Sequence, residues 1–350
     1  MALLRISSPH THRALGTGAV MRTVVLATLP GLAVLTYFFG VGSLHNVLLA
    51  SITAMGFEAA VMKLRGRPVW FYLRDCSALV TGVLLGLALP PYCPWWLVVL
   101  GSGVAIVLAK QLYGGMGFNP FNPAMVAYVV LLISFPLHMS QWAAPLDIGG
   151  QTPGVVQALQ QIWLGTSIDG YTAATPLDTV KQNSGLMLND LYLQDPVLSA
   201  GQFVGAGWEW ANLAFLVGGA YLLYRRIFTW HAPVAMLASL SIMAFLFYDG
   251  GSSTSGGSVL FHLFSGATML GAFFIVTDPV SSAVSTRGRL IYGAAIGVLI
   301  YVIRIWGNYP DGIAFAVLLM NFAAPFIDYY TLPRTYGHKK SERATRKVDQ

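Results

Sequence analysis

Apolar residues in this chain fall in long blocks, not in the alternation of a strand or the one-sided stripe of a soluble helix. Ten blocks stand out, near residues 23–40, 43–62, 77–91, 94–112, 121–138, 208–224, 231–248, 257–277, 289–307 and 311–328. Each approaches the roughly twenty residues an α-helix needs to cross a hydrocarbon core about 30 Å thick. A backbone in lipid must satisfy its own hydrogen bonds, so the blocks predict helices. The expected fold class is an all-α polytopic membrane protein with about ten transmembrane helices.

Composition strengthens this reading. Hydrophobic residues make up 55% of the chain and charged residues 10%, against about 25% charged in a soluble domain. So few charges cannot coat 350 residues with a solvated surface. The segment 1–22 carries Arg5, His10, His12 and Arg13 without an apolar core, so it does not read as a cleaved signal. Cys76 and Cys93 form no metal-binding spacing. An iron–sulfur cluster normally needs four thiolates, so this chain alone does not hold one.

Charge placement adds an orientation. Ten crossings put both ends on one side, and 18 of the 20 Lys and Arg then fall on or beside it. Lys181 alone lies in an opposite loop, and Arg304 lies inside a block. The positive-inside rule makes the basic side cytoplasmic. The basic tail 334–347 reads as a topology anchor, not a nucleic-acid site. The expected organisation is a cytoplasmic segment 1–22, a first half 23–138, a periplasmic loop 139–207, a second half 208–328 and a basic tail 329–350. Trp95 and Trp96 read as aromatic anchors of one interface, Trp208 and Trp210 of the other.

Five blocks on each side of the long loop give the arithmetic of an inverted repeat, in which an odd number of crossings turns the second half over. Two stretches read as helix breaks. Gly114 to Met125 holds three glycines and two prolines, with Asn119 and Asn122 available to bond freed backbone or a ligand. Thr277 to Ala283 carries Asp278 and Pro279. Together they predict either capped turns or a polar pocket built by both halves. Asp278 and Asp328 read as helix ends paired with Arg287 or a lysine, or as part of a cation path. Arg304 reads as a snorkelling charge, a partner of Asp311, or a counter-ion for a phosphate. His262 reads as a packing residue.

The long loop holds Asp169-Gly170-Tyr171-Thr172-Ala173-Ala174-Thr175-Pro176-Leu177, a polar, turn-prone segment ending in a threonine with small neighbours. A hydroxyl so placed suits attachment of a phosphate-bearing group, and spacing alone also fits an ordinary loop threonine. Ser265-Gly266-Ala267-Thr268 offers a similar pattern, but in the middle of an apolar block where a modifying enzyme has no access.

The acid Asp169, the hydroxyl residue Thr172 and the small-small-threonine end Ala173-Ala174-Thr175 resemble the flavinylation motif of the RnfD and NqrB family. The resemblance extends to Phe118-Asn119-Pro120-Phe121-Asn122-Pro123-Ala124-Met125, Ser265 to Pro279, Gly307 to Gly312 and Asn321 to Asp328. It implies a urea-transporter-like arrangement of two five-helix inverted repeats. It also implies FMN attached by a flavin transferase to Thr175, with Ala173 standing where the motif usually has glycine. A second, noncovalent flavin such as riboflavin fits the family, although no residue marks its site. The implied activity is that of one subunit in a redox-driven translocase of a bacterial inner membrane, passing electrons between NADH and ferredoxin carriers coupled to Na⁺ or H⁺ movement. Implied partners are a periplasm-facing flavin subunit and iron–sulfur membrane subunits. No glycine fingerprint for NAD follows a strand here. The competing reading is a small-solute transporter or channel of the same fold.

Overall fold

The structure is a computed structural model, and it describes residues 16–148, 153–166, 170–183, 185–252 and 256–331. The first half runs α1 (Thr17–Phe39), α2 (Gly42–Leu64), α3 (Val69–Leu73), α4 (Ser77–Ala88), α5 (Trp95–Gly103) and α6 (Pro123–Ser134). Helix α5 continues through wider turns over Val104–Gln111. The connecting loop holds α7 (Pro136–Ser140), α8 (Val155–Leu164), α9 (Pro176–Gln182), α10 (Leu188–Gln194) and α11 (Pro196–Ser199). The second half runs α12 (Trp208–Tyr224), α13 (His231–Leu246), α14 (Val259–Phe264), α15 (Thr268–Leu270), α16 (Thr286–Trp306) and α17 (Ile313–Thr331). No strand occurs among the described residues, only one isolated bridge. All ten apolar blocks contain helix, and α1, α2, α16 and α17 are long and apolar enough to cross a membrane.

Glycines set the closest helix contacts. A Cβ at Gly82 or Gly86 of α4 would come within 2.8 Å of Ser51 Cα or 2.6 Å of Val47 Cα on α2. In the second half, a Cβ at Gly293 or Gly297 of α16 would come 2.3 Å from the carbonyls of Ala232 or Met236 on α13. Two glycines four residues apart therefore let backbones touch in each half, where apolar burial alone gives little attraction in lipid. Across the halves, α1 packs on α12, with Gly218 against the Ala27 carbonyl.

One block departs from a simple span. The block 257–277 is not a continuous helix: α14 stops at Phe264, Gly266 adopts φ +57°, and helix resumes at Thr268. From Gly271 to Ile275 the turns again widen. The 139–207 loop is likewise no free tether. Leu177, Leu191, Leu198 and Val204 bury against Phe261 of α14 in a small core. The tryptophan pairs also differ from expectation, since both stand at the end of the molecule that carries this loop. Trp95 stacks on Trp163 at 5.5 Å, and Trp208 meets Trp142 at 5.0 Å, and both partners belong to the loop.

Candidate functional site

The segment around Thr175 is held in place from two directions. Ala144 N donates to the Tyr171 carbonyl (2.7 Å) and Ala173 N to the Trp142 carbonyl (3.0 Å), around a bridge between Ala143 and Thr172. Tyr171 packs edge-on against Tyr92 at 5.5 Å, and burial raises the pKa of its hydroxyl. Thr172 and Ala174 face outward and Ala173 is half-buried. Asp169 lies outside the described residues.

Thr175 then starts α9, for reasons visible in the sequence. Pro176 supplies the fixed φ suited to the first helical position. Asp178 three residues on completes a reciprocal cap: its amide donates to Thr175 Oγ1 (3.2 Å), and the Thr175 amide donates back to Asp178 Oδ2 (3.4 Å). The Thr175 hydroxyl itself donates to Asp178 Oδ2 at 2.6 Å. A carboxylate that close polarises the hydroxyl and is placed to take its proton. The other end of α9 is pinned by Lys181, whose ammonium donates to the carbonyls of Ile303 (3.3 Å), Arg304 (3.2 Å) and Tyr309 (2.7 Å) at the end of α16. Burial lowers the Lys181 pKa, partly offset by Asp178.

Thr175 and Asp178 line a cavity of about 480 Å³ between the two halves, with Trp142, Tyr128, Trp208 and Asp311 among its walls. That volume lies within the ~300–1,000 Å³ common for small-molecule and cofactor sites. The lining is mainly apolar and aromatic, and among the described residues no Lys or Arg belongs to it.

Arg304 stands behind this cavity, not in it. Its guanidinium donates to the His262 carbonyl (2.8 Å), the Ser265 carbonyl (3.4 Å) and Thr268 Oγ1 (2.8 Å), and pairs with Asp311 Oδ1 (3.1 Å). Asp311 Oδ2 in turn accepts from the Ala267 amide (3.0 Å). The pair therefore clasps the break between α14 and α15, satisfying backbone groups the missing turn leaves open. Of the three readings for Arg304, pairing with Asp311 is the one observed. The His262 ring packs on Tyr301 at 5.1 Å, and its carbonyl meets Arg304. Thr268, the hydroxyl of the competing attachment pattern, is fully buried in this clasp.

Asn119 and Asn122 lie elsewhere. They line a second cavity of about 280 Å³ at the opposite end of the half–half interface, together with Thr277 and Asp278. The two break-like stretches thus meet at one pocket, whose lining mixes these polar groups with a larger apolar share. Asn122 also caps α6, accepting from the amides of Ala124 (3.1 Å) and Met125 (3.3 Å), and Asn119 donates to the Phe121 carbonyl (2.9 Å). Asp278 accepts from Ser281 Oγ (2.7 Å) and the Val280 amide, and Asp328 from the amides of Val284 and Ser285. Among the described residues neither pairs with a basic side chain, and the expected ion pair with Arg287 is not observed.

Four functional candidates escaped sequence reasoning: Asp178 and the break-capping role of Asp311, and the pair Glu58–Lys110, joined at 2.7 Å with side chains 1% and 3% exposed. Lys110 reads in sequence as a boundary charge, but it is buried. The signal available for Asp178 was its place three residues after a Thr-Pro, a capping-box spacing.

Known proteins match this chain along nearly its whole length. A family model described as "NQR2, RnfD, RnfE family" matches residues 5–337. A protein of Cellvibrio japonicus (strain Ueda107) is 67% identical over 348 residues, covering 99% of this chain and 98% of its own. One from Ectopseudomonas mendocina (strain ymp) is 57% identical over 97% of both chains. One from Alcanivorax borkumensis is 55% identical over 99% of this chain and all of its own. Each of the three is named as the same subunit of an ion-translocating oxidoreductase complex.

Proposed function

The chain belongs to the NQR2, RnfD, RnfE family, and from that premise we propose that it carries FMN as a phosphoester on Thr175. It is a membrane subunit of an ion-translocating oxidoreductase complex. This membership favours the redox reading over a small-solute transporter of similar layout. In the proposed arrangement ten helices form two inverted five-helix repeats in a bacterial inner membrane. Both termini are cytoplasmic and the Thr175 loop faces the periplasm. Five helical blocks on each side of the 139–207 loop support a repeat, and the placement of Lys and Arg supports the orientation.

The observation that carries the flavin reading is the Thr175 hydroxyl donating to Asp178 at 2.6 Å on the wall of the 480 Å³ cavity. The fit is chemical. Thr175 offers the oxygen that an ester needs, and Asp178 holds its proton at Oδ2. Trp142, Trp208 and Tyr128 offer aromatic faces to the cavity. The contacts of Arg304 give no support to its neutralising the phosphate, because the side chain is committed to the α14–α15 break. FMN, when bound, supplies the ability to pass electrons singly, and the protein supplies placement and surroundings. Attachment is the work of a flavin transferase. Partner subunits carry the NADH-binding and iron–sulfur chemistry, and a flavin subunit meets this chain on the periplasmic side.

Thr175→Ala tests the role. The variant complex is expected to assemble, to lose flavin fluorescence from this chain on a denaturing gel, and to lose electron transfer. Undiminished electron transfer without that fluorescence rejects the redox role of Thr175.

A further inference from the structure

We propose that α8 is a membrane-surface helix: one edge of its apolar face packs on the protein, and the rest is seated among lipid acyl chains at the headgroup boundary. The inference needs only that the chain is a membrane subunit, and its evidence lies away from Thr175.

The sequence defines this helix at both ends. Gln157 Oε1 accepts from the Gly154 amide at 3.1 Å, which closes the first turn. Gly165 takes φ +70° and its amide donates to the Gln161 carbonyl at 3.1 Å, which stops the last turn. Around the helix between these stops the order is Ala158, Ile162, Val155, Leu159, Trp163 and Val156, an unbroken apolar face of roughly 160°. Gln157, Gln160 and Gln161 hold the other side, with Leu164 at its end. Only one edge of the apolar face is used by the fold. Ala158 and Ile162 are 0% and 1% exposed in the main core, whereas Val155, Val156, Leu159 and Trp163 stay exposed, Val156 at 69%.

A bare apolar patch marks a partner, and three observations give that partner the chemistry of lipid. The first is level. The Trp163 ring stacks on Trp95 at 5.5 Å, and its indole N–H donates to His45 Nε2 at 3.1 Å. Trp95 is the first residue of α5, and His45 lies in the first turn of α2. Trp163 therefore stands where two apolar helices begin, the height at which tryptophan belts mark a bilayer boundary. The second is continuity. Helix α2 is long and apolar enough to cross a membrane, and its outward stripe Leu44, Leu48 and Ile52 is exposed from that same first turn onward. In a bilayer this stripe meets acyl chains, and the bare edge of α8 begins beside it. The third is charge. Helix α8 contains no Asp, Glu, Lys or Arg, so its face offers no charge to fix the register of a protein partner. Apolar burial alone can seat a helix at the lipid boundary.

The seating has a consequence for the loop. Helix α8 lies in the chain between Ala143 and Thr172, the two sides of the isolated bridge. Lipid under α8 therefore holds that bridge at the membrane surface.

The test uses the whole complex in liposomes of phosphatidylethanolamine and phosphatidylglycerol. p-Benzoylphenylalanine replaces Leu159, Val156 or Gln157 in turn, and after illumination mass spectrometry identifies what the probe has joined. Phospholipid adducts at 159 and 156 are expected to exceed those at 157 by about fivefold or more. Adducts to another subunit at 159 or 156, equal lipid adducts at all three positions, or no adduct at 159 and 156 overturn the proposal. If the probe prevents assembly, the unsubstituted complex decides, with a phospholipid carrying a diazirine in its acyl chain. Label is then expected on Val155, Val156, Leu159 or Trp163, and an unlabelled 155–164 segment overturns the proposal.

Discussion

Among the described residues two buried cations sit inside apolar blocks, and they are built differently. Arg304 reaches three acceptors on the broken α14–α15 segment as well as Asp311, whose side chain is 24% exposed toward the Thr175 cavity. Among the described residues the Lys110 ammonium donates only to Glu58 and Ser77, in a site where both ion-pair partners are nearly sealed. The guanidinium is planar, always charged and rich in donors, which suits permanent service as a clasp. The ammonium is a compact point charge on a flexible stem, with two of its three donors used. Residue type and donor count therefore set how firmly each buried cation ties its surroundings together.

The largest effect expected from breaking this contrast is at Arg304. Arg304→Met leaves Asp311 and three acceptors at the helix break without their donor, costing roughly 3–5 kcal/mol. Its complex is expected to fail to assemble, as judged by size-exclusion of detergent extracts. A monodisperse Arg304→Met complex with normal thermal stability contradicts the clasp. Gly266→Ala attacks the same break from the backbone. Its Cβ would lie 2.6 Å from Asp311 Oδ2 and its φ is +57°, so a loss of about 1–3 kcal/mol is expected in thermal unfolding. The smallest effect is at Lys181, which ties α9 to three carbonyls at the end of α16. Lys181→Met is expected to cost ~1 kcal/mol and to loosen α9, seen as faster amide exchange over residues 176–182 with the membrane helices unchanged. Exchange unaltered there means the lysine does not hold the loop.

Much of the architecture was legible in the chain. Block hydrophobicity predicted helix in ten regions, and each contains helix, four of them long and apolar enough to cross a membrane. The break at Gly114–Met125 was legible because glycine and proline punctuate it, and Gly114, Gly115 and Gly117 all take positive φ. The break at Ser265–Ala267 was not, because small residues in an apolar run also mark close helix packing. Thr175 stood out by its neighbours, but the cavity behind it did not, since its walls come from segments as distant as Leu35 and Ala314. Glu58 and Lys110 are 52 positions apart, and nothing local in either helix announces the other. The Trp pairs were placed at opposite interfaces, yet the loop partners Trp142 and Trp163 gather both at one end.

The claim at the centre is that Thr175 carries a flavin through its phosphate. Mass spectrometry of a peptide spanning residues 169–181, from protein made with its flavin transferase and an ample flavin supply, tests it directly. The predicted result is a mass increase matching FMN minus water, localised by fragmentation to Thr175. An unmodified Thr175, or the flavin on another residue, contradicts it.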